Sequence, residues 1–361
     1  MRTLSISNRF QSRAGAAALI ALTAFAAGCG NQSSDNGGST PPPGAQTASS
    51  NTSGGGAGLN GAGATFPAPL YQKWFQEYKQ KAGTEINYQP IGSGGGIKQI
   101  TGKSVDFGAS DAPMSDEELA AAPGIMHIPT VAGSVCIAYN VAGAPANLKL
   151  TGPVIADIYL GNIKTWNDPK ITALNPGVTL PGATITPFHR ADGSGTTNIF
   201  TNYLKEAASA WAPIGAGKSV NWPKGPGGKG NAGVAALIKQ IPGGVGYIEL
   251  GYAVENKIPF AQVQNQSGAF ITPSVESTTA AAAGVTLPDD FRKVIVNTTA
   301  KDGYPITGFT FLLVYPDAKP QLKDFLKWAL TDGEKEASAM YYAPLPDAVQ
   351  KAALAKVDTI K

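Results

Sequence analysis

The sequence predicts an α/β fold built on mostly parallel sheets. Short apolar segments with strand character alternate with longer segments whose apolar residues recur at helical spacing. This alternation is typical of sheets covered by helices on their faces. The length of 361 residues, 43% of them hydrophobic, suits one large or two medium globular domains.

The predicted elements begin with a helix over 69–81. It places Leu70, Trp74 and Tyr78 on one face, and Pro69 suits its first turn. Ser115 and its partner three residues later, Glu118, predict a capping box at the start of a later helix. The other predicted elements are strands at 86–88, 105–108, 131–139 and 309–315 and helices at 96–101, 197–204 and 321–330, the last stopped by Gly333.

The first 28 residues have the pattern of a secretory signal peptide. Three arginines accompany an apolar stretch over 14–27 that is too short for a comfortable membrane span. The stretch ends in Phe25-Ala26-Ala27-Gly28-Cys29, which resembles a bacterial lipobox, although Ala26 stands where leucine is more usual. We therefore expect lipidation at Cys29, with ordinary signal cleavage beside an incidental cysteine as the alternative.

Residues 29–58 are predicted to form a flexible tether. They are rich in Asn, Ser, Thr, Gly and Pro and have almost no apolar residues to bury. A lipid anchor and a tether would hold the following domain in the periplasm or at the outer face of the cytoplasmic membrane. Cys136 would then be the only thiol, and its apolar surroundings predict a buried, unreactive side chain.

The charge balance of the mature chain indicates no nucleic-acid partner. Three of the 28 basic residues and none of the 25 acidic residues lie in the signal segment. The rest of the chain therefore carries equal numbers of both. A strongly basic surface, the usual footprint of nucleic-acid binding, is not expected.

The strongest sign of a binding site is a loop that leads into a predicted helix, Arg190-Ala191-Asp192-Gly193-Ser194-Gly195-Thr196. Backbone N–H groups at a helix N-terminus lack intrahelical partners, and the positive end of the helix dipole faces outward. An arginine beside such a terminus is suited to hold a small oxyanion. Asp192 is expected to pair with Arg190 and fix its orientation.

Three further loops are rich in small residues and lie at strand or loop exits: Gly61-Ala62-Gly63-Ala64-Thr65-Phe66-Pro67-Ala68-Pro69, Gly92-Ser93-Gly94-Gly95-Gly96 and Asp106-Phe107-Gly108-Ala109-Ser110-Asp111-Ala112-Pro113. Glycines let backbone amides approach a ligand closely. Each loop alone could be an ordinary turn, but four on one chain predict a shared oxyanion site. The expected donors are the Arg190 guanidinium, the hydroxyls of Thr65, Ser93, Ser194 and Thr196, and the amides of Phe66, Gly195 and Thr196.

Asp111 indicates which oxyanion the site would accept. A carboxylate beside an anion is repulsive unless the ligand carries a proton that the carboxylate can accept. Phosphate carries one or two protons near neutral pH, whereas sulfate carries none. A buried mismatch of this kind discriminates by about 10⁴–10⁵-fold in sites built for a group that the analogue lacks.

These four segments resemble the motifs of the phosphate-binding proteins of bacterial ABC phosphate importers, over about residue 59 to the end. Three other stretches agree: Asp157-Ile158-Tyr159-Leu160-Gly161, Gly227-Gly228-Lys229-Gly230-Asn231 and Leu345-Pro346. The resemblance implies phosphate contacts from Thr65, Phe66, Ser93, Asp111, Arg190, Asp192, Ser194, Gly195 and Thr196. Two departures, His189 where a second arginine can occur and Gly94 where serine can occur, matter little to the site.

The resemblance also implies a two-lobed periplasmic-binding-protein-like fold of type II. Each lobe would hold a mixed, mostly parallel sheet flanked by helices, with a two-strand hinge and the ligand in the cleft. Lobe one is expected at 59–139 plus 311–361 and lobe two at 140–310, with crossings near 139–140 and 309–313. Residues 228–230 are expected to form a surface turn.

The predicted function is high-affinity binding of inorganic phosphate (HPO4/H2PO4) outside the cytoplasmic membrane, followed by delivery to the membrane subunits of an ABC phosphate permease. The protein is expected to be a monomer without catalytic residues or a cofactor. No metal is expected either, because its two histidines and scattered carboxylates show no ligand spacing. A binding protein for sulfate, molybdate or tungstate is one alternative, against which Asp111 argues. A phosphate sensor or scavenger without an importer stays open.

Two enzymatic alternatives are weaker. A phosphate hydrolase could use His189, Asp192 and Ser194, but these crowd into six residues, whereas a catalytic triad converges from separated elements. His127 is expected to be structural. The run 215–219 ends like a nucleotide-binding P-loop, but Ala212 stands where that motif requires glycine.

Overall fold

The computed structural model describes residues 58–361; the predicted signal peptide, Cys29 and all but the last residue of the predicted tether lie outside this range. The described strands are β1 (Leu59–Gly63), β2 (Ile86–Gln89), β3 (Phe107–Ser110), β4 (Met126–Tyr139), β5 (Lys149–Leu150), β6 (Thr186–Arg190), β7 (Gly227–Gly228), β8 (Gly244–Glu249), β9 (Gln262–Gln264), β10 (Phe270–Ile271) and β11 (Thr307–Val314). The described α-helices are α1 (Ala68–Ala82), α2 (Ser93–Thr101), α3 (Asp116–Ala121), α4 (Gly152–Leu160), α5 (Pro169–Thr172), α6 (Gly195–Ala207), α7 (Gly230–Gln240), α8 (Leu250–Glu255), α9 (Val275–Ala283), α10 (Pro320–Ala329) and α11 (Asp347–Asp358).

Eight strands form one mixed sheet in the order β2-β1-β3-β11-β4-β8-β6-β7. The pairs at both ends are parallel, namely β1 with β2 and β3, and β6 with β7 and β8. The three central pairs, which involve β11 and β4, are antiparallel. The α/β fold with a mixed sheet is therefore confirmed.

The long strand β4 connects the two parts of this sheet. Its first residues, through Ser134, pair with β11, and its last five, from Val135 to Tyr139, pair with β8. Almost the whole strand is buried, because both of its faces are covered. This arrangement explains why 131–139 is a continuous apolar run rather than an alternating one.

Several local predictions are confirmed. Helix α1 buries Leu70, Trp74 and Tyr78 on one face, and the Ser115–Glu118 capping box is present at α3. Cys136 is fully buried, and burial raises the pKa of its thiol. Among residues 58–361, no helix combines the length and the apolarity that a membrane crossing needs.

Several predicted boundaries are wrong, and β4 begins five residues earlier than predicted, at Met126. Helix α2 begins at Ser93 rather than at residue 96, although glycine is a poor helix former. A Cβ at Gly96 would lie 2.5 Å from the Cα of Gly63, so close packing on β1 decides the residue type here. Strand β3 ends two residues later than predicted, and α10 ends at Ala329, so that Gly333 instead opens a short 3₁₀ helix.

Candidate functional site

The four predicted loops meet at one place. Ser93, the first residue of α2, accepts hydrogen bonds at its Oγ from the amide of Gly195 at 3.0 Å and from the amide of Asp111 at 3.3 Å. The amide of Gly94 donates to the carbonyl of Gly193 at 2.9 Å. The N-termini of α2 and α6 therefore face each other, with the end of β3 beside them.

Arg190 lies at the end of β6, and its side chain is 1% exposed. Its Nε donates to Oδ1 of Asp192 at 2.8 Å, and a second guanidinium nitrogen contacts Oδ2. Burial raises the pKa of Asp192, but the hydrogen bonds and charge of Arg190 outweigh that effect and hold it below its usual value. The expected pairing of Asp192 with Arg190 is therefore present. The third guanidinium nitrogen of Arg190 donates to Oγ1 of Thr196 at 3.2 Å.

Asp111 directly follows β3 and is 3% exposed. Its Oδ1 accepts a hydrogen bond from the Thr310 hydroxyl at 2.9 Å. Burial raises the pKa of Asp111 to about 7, although the Thr310 bond and the charge of Arg190 act to lower it. Asp111 therefore titrates near neutral pH. When ionised it can accept a hydrogen bond from a ligand, and when protonated it can donate one.

Gly195 packs directly against Asp111. A Cβ on Gly195 would lie 2.5 Å from the Cβ of Asp111 and 2.6 Å from its Oδ2, closer than real contacts allow. Glycine at the first position of α6 thus lets the helix terminus approach the carboxyl group. Ser194 caps the same helix, since its Oγ accepts from the amide of Thr197 at 3.0 Å.

Thr65 and Phe66 lie between β1 and α1. The Thr65 Oγ1 accepts from the backbone amide of Asn231 at 3.1 Å and from its side-chain Nδ2 at 3.0 Å. The carbonyls of Thr65 and Phe66 accept from the hydroxyls of Tyr252 and Tyr342. The structure therefore brings the nine predicted site residues together in one cluster, in which all but the half-buried Asp192 are buried.

Comparison with known proteins agrees with this geometry. Residues 40–333 match the model of a PBP superfamily domain. The chain is 44% identical over 297 residues to the phosphate-binding protein PstS of Xylella fastidiosa, covering 80% of this chain and 81% of that one. It is 38% identical over 331 residues to PstS of Methanocaldococcus jannaschii, covering 83% and 85%.

The chain belongs to the PstS phosphate-binding protein family. The fold agrees as well: a high-affinity periplasmic phosphate-binding protein, PfluDING, solved with bound phosphate, superimposes with a TM-score of 0.66 at 22% identity. That match covers 83% of this chain and 93% of the PfluDING chain.

The structure adds residues to this candidate site that the sequence analysis did not name as contacts. Asn231, fully buried at the start of α7, contacts both Thr65 and Thr196. Thr310 in β11 holds Asp111. In the sequence analysis Asn231 appears only as the last residue of the stretch 227–231 that agrees with the family resemblance, with no role assigned to it.

The expected surface turn at 228–230 is wrong. Gly228 is buried in strand β7 and Gly230 is buried at the first position of α7, so only Lys229 between them is exposed. The amide of Gly230 donates to Oδ1 of Asp192 at 3.0 Å. This segment therefore belongs to the site and positions the carboxylate that orients Arg190.

The hydrolase alternative gains no geometric support. Both ring nitrogens of His189 contact backbone carbonyls, those of Arg190 and Gly225, and the ring stacks on Trp222. Among the hydrogen bonds of residues 58–361, none joins His189 to Asp192 or Ser194. His127 is buried and accepts from the amide of Met114, and burial lowers its pKa to about 4, as suits a structural residue.

Proposed function

We propose that this protein binds inorganic phosphate outside the cytoplasmic membrane and delivers it to an ABC-type phosphate permease. The observation that carries the proposal is the presence, in one cluster of hydroxyls and amides, of the buried guanidinium of Arg190 and of the Asp111 carboxyl, whose pKa burial raises to about 7. A cation and neutral donors attract an oxyanion. When ionised, the Asp111 carboxylate can accept a hydrogen bond from an oxyanion that itself carries a proton, and it therefore favours such a ligand.

The same geometry supports the contact set Thr65, Phe66, Ser93, Asp111, Arg190, Asp192, Ser194, Gly195 and Thr196. Arg190 would supply the full positive charge, and the hydroxyls and helix N-termini would supply neutral donors. Asp192 would act mainly through Arg190. Ser194 would serve as a hydrogen-bond donor to phosphate and not as a nucleophile.

Two lobes would close around the ligand, with lobe one at 59–139 plus 311–361 and lobe two at 140–310. The partner change within β4, between Ser134 and Val135, supports a crossing inside this strand, somewhat before residue 139. Contacts such as the Lys218–Glu118 ion pair at 2.7 Å would then join the lobes in the closed form. A ligand that touches both lobes stabilises that form, which a permease can recognise.

Lipidation at Cys29 would keep the domain at the membrane that holds the permease. The support for this part is the sequence pattern Phe25-Ala26-Ala27-Gly28-Cys29 and the polar tether that follows it. The anchored domain would reach its transporter without diffusing away.

Calorimetric titration of the mature domain with phosphate, arsenate and sulfate near neutral pH tests the proposal. Phosphate and arsenate should both bind tightly because both carry protons, and sulfate should bind far more weakly. Equal binding of sulfate and phosphate would support a general oxyanion-binding protein instead. No binding of any of the three would place the function elsewhere.

A further inference from the structure

Three hydroxyl oxygens of the candidate site share one property: each accepts two hydrogen bonds from nitrogen donors. Thr65 Oγ1 accepts both from Asn231, and Ser93 Oγ accepts from the amides of Asp111 and Gly195. Thr196 Oγ1 accepts from Arg190 at 3.2 Å and from Asn231 Nδ2 at 3.2 Å. A hydroxyl has two lone pairs and one proton, so in all three the lone pairs are engaged.

The orientation of the Asn231 side chain follows from a backbone group. The amide of Glu249 donates to the Asn231 side chain at 3.0 Å, and an N–H group requires an acceptor there. The atom facing Glu249 must therefore be Oδ1. The other end of the amide, Nδ2, then faces Thr65 and Thr196 as a donor.

We propose that Asn231 is a positioning residue that sets the specificity of the site by forcing the hydroxyl protons of Thr65 and Thr196 toward the ligand. Their lone pairs are engaged by Asn231 and Arg190, so each hydroxyl can only donate to whatever occupies the site. The candidate site then offers donors alone, apart from the carboxylates of Asp111 and Asp192. It selects a ligand whose surface consists of acceptor oxygens and disfavours neutral or donor-rich molecules.

This inference rests on the proposed function, since it assumes that the ligand lies against these hydroxyls. Asn231 is suited to the role because it is fully buried and bridges elements far apart in the chain. It lies 166 residues from Thr65 and 35 from Thr196. No hydrogen bond in the described part of the chain gives either hydroxyl an acceptor for its own proton.

The test replaces the hydrogen-bond donor that the side chain at position 231 presents to Thr65 and Thr196 by an acceptor. In N231D the introduced carboxylate is an acceptor, so the hydroxyls of Thr65 and Thr196 should turn to it and away from the ligand. Calorimetry at pH 8 should show phosphate binding weakened at least about 10²-fold. In N231A, which removes the Nδ2 donor together with the oxygen that accepts from the Glu249 amide, the loss should be about 10-fold. Lowering the pH to 5 should shrink the deficit of N231D relative to wild type, because a protonated carboxyl can donate again.

Comparison with wild type at each pH removes the contributions of the other groups. The charged and titratable groups around position 231 are present in every variant: Asp111, Arg190, Asp192, Glu249, Tyr252 and Tyr342. N265D is the matched control, since Asn265 is also buried and multiply bonded but lies among the loops at 300–303. It should lower the melting temperature and leave phosphate affinity unchanged.

The possible outcomes separate the two ideas. If wild type does not bind phosphate, the proposed function fails. If wild type binds, but N231D loses no more affinity than N231A and its deficit does not change with pH, only the positioning role is overturned. Should N231D fail to fold, a double-mutant cycle of N231A with T65V decides. If the loss of phosphate affinity in the double variant equals the product of the two single fold-losses, the positioning role is contradicted; a smaller loss in the double variant supports it.

Discussion

Replacing Asp111 by asparagine changes charge at a buried position with little change of shape. The Asp111 carboxyl is 3% exposed, and burial raises its pKa to about 7 from an ordinary value of 3.8. The Thr310 hydroxyl that donates to Oδ1 can still donate to the amide oxygen of asparagine. The substitution therefore isolates the effect of the ionisable group.

The magnitude for stability follows from the pKa. A carboxyl whose folded pKa is raised contributes stability that is fully present below its unfolded pKa and is lost as pH rises through its folded pKa. Wild type should thus lose stability between about pH 4 and pH 8. A difference of about three pKa units corresponds to about 4 kcal/mol, which D111N should recover at pH 8 and not at pH 4.

The effect on binding has the opposite sign. At pH 8 the ionised Asp111 would accept the proton of bound phosphate, a charged hydrogen bond worth about 1.5–3 kcal/mol. D111N should therefore bind phosphate about 10- to 150-fold more weakly while sulfate binding improves. In wild type, sulfate binding should strengthen as pH falls below about 7, because protonated Asp111 can donate to sulfate.

Urea denaturation of ligand-free protein at pH 4 and pH 8, with calorimetry of both anions, measures these effects. Glu249 and Glu334, whose pKa values burial raises to about 8 and about 7, titrate in the same range but are present in both proteins. The difference between wild type and D111N therefore reports Asp111. If D111N binds both anions as wild type does, the proton-acceptor role is refuted. If the stability difference between wild type and D111N is the same at pH 4 and pH 8, the raised pKa of Asp111 is refuted.

Three other substitutions test the rest of the site. R190A should weaken phosphate binding by about 2–5 kcal/mol, because it removes the buried cation; a near wild-type Kd by calorimetry would mean that the site lies elsewhere. G195A should abolish tight binding with the fold retained, since its Cβ would collide with Asp111, whereas G284A, at a position with open space, should bind normally in the same assay. C29S should move the full-length protein from the membrane fraction to the soluble fraction; persistence in membranes would contradict lipid anchoring.

Local signals in the sequence predicted much of the fold. Apolar spacing located α1, and the Ser115–Glu118 capping box located the start of α3. The loop 190–196 was predicted to lead into a helix, and α6 begins at Gly195, two residues before the predicted position 197. These signals suffice because periodicity and capping act over a few residues. At α2 the local signals were insufficient, because its glycines predict a later helix start than the one observed. Tertiary packing requires a glycine here, since α2 approaches β1 so closely that a Cβ at Gly96 would collide with Gly63.

The sequence by itself determined which loops carry donors and that Arg190 would pair with Asp192, two residues away. Only the tertiary structure decided that Thr310, 199 residues from Asp111, would hold that carboxyl, and that Asn231 would bridge Thr65 and Thr196. Burial then set the pKa of Asp111 near neutrality. The physical reason is that desolvation and hydrogen-bond direction depend on every group around an atom, and in this site those groups come from distant parts of the chain.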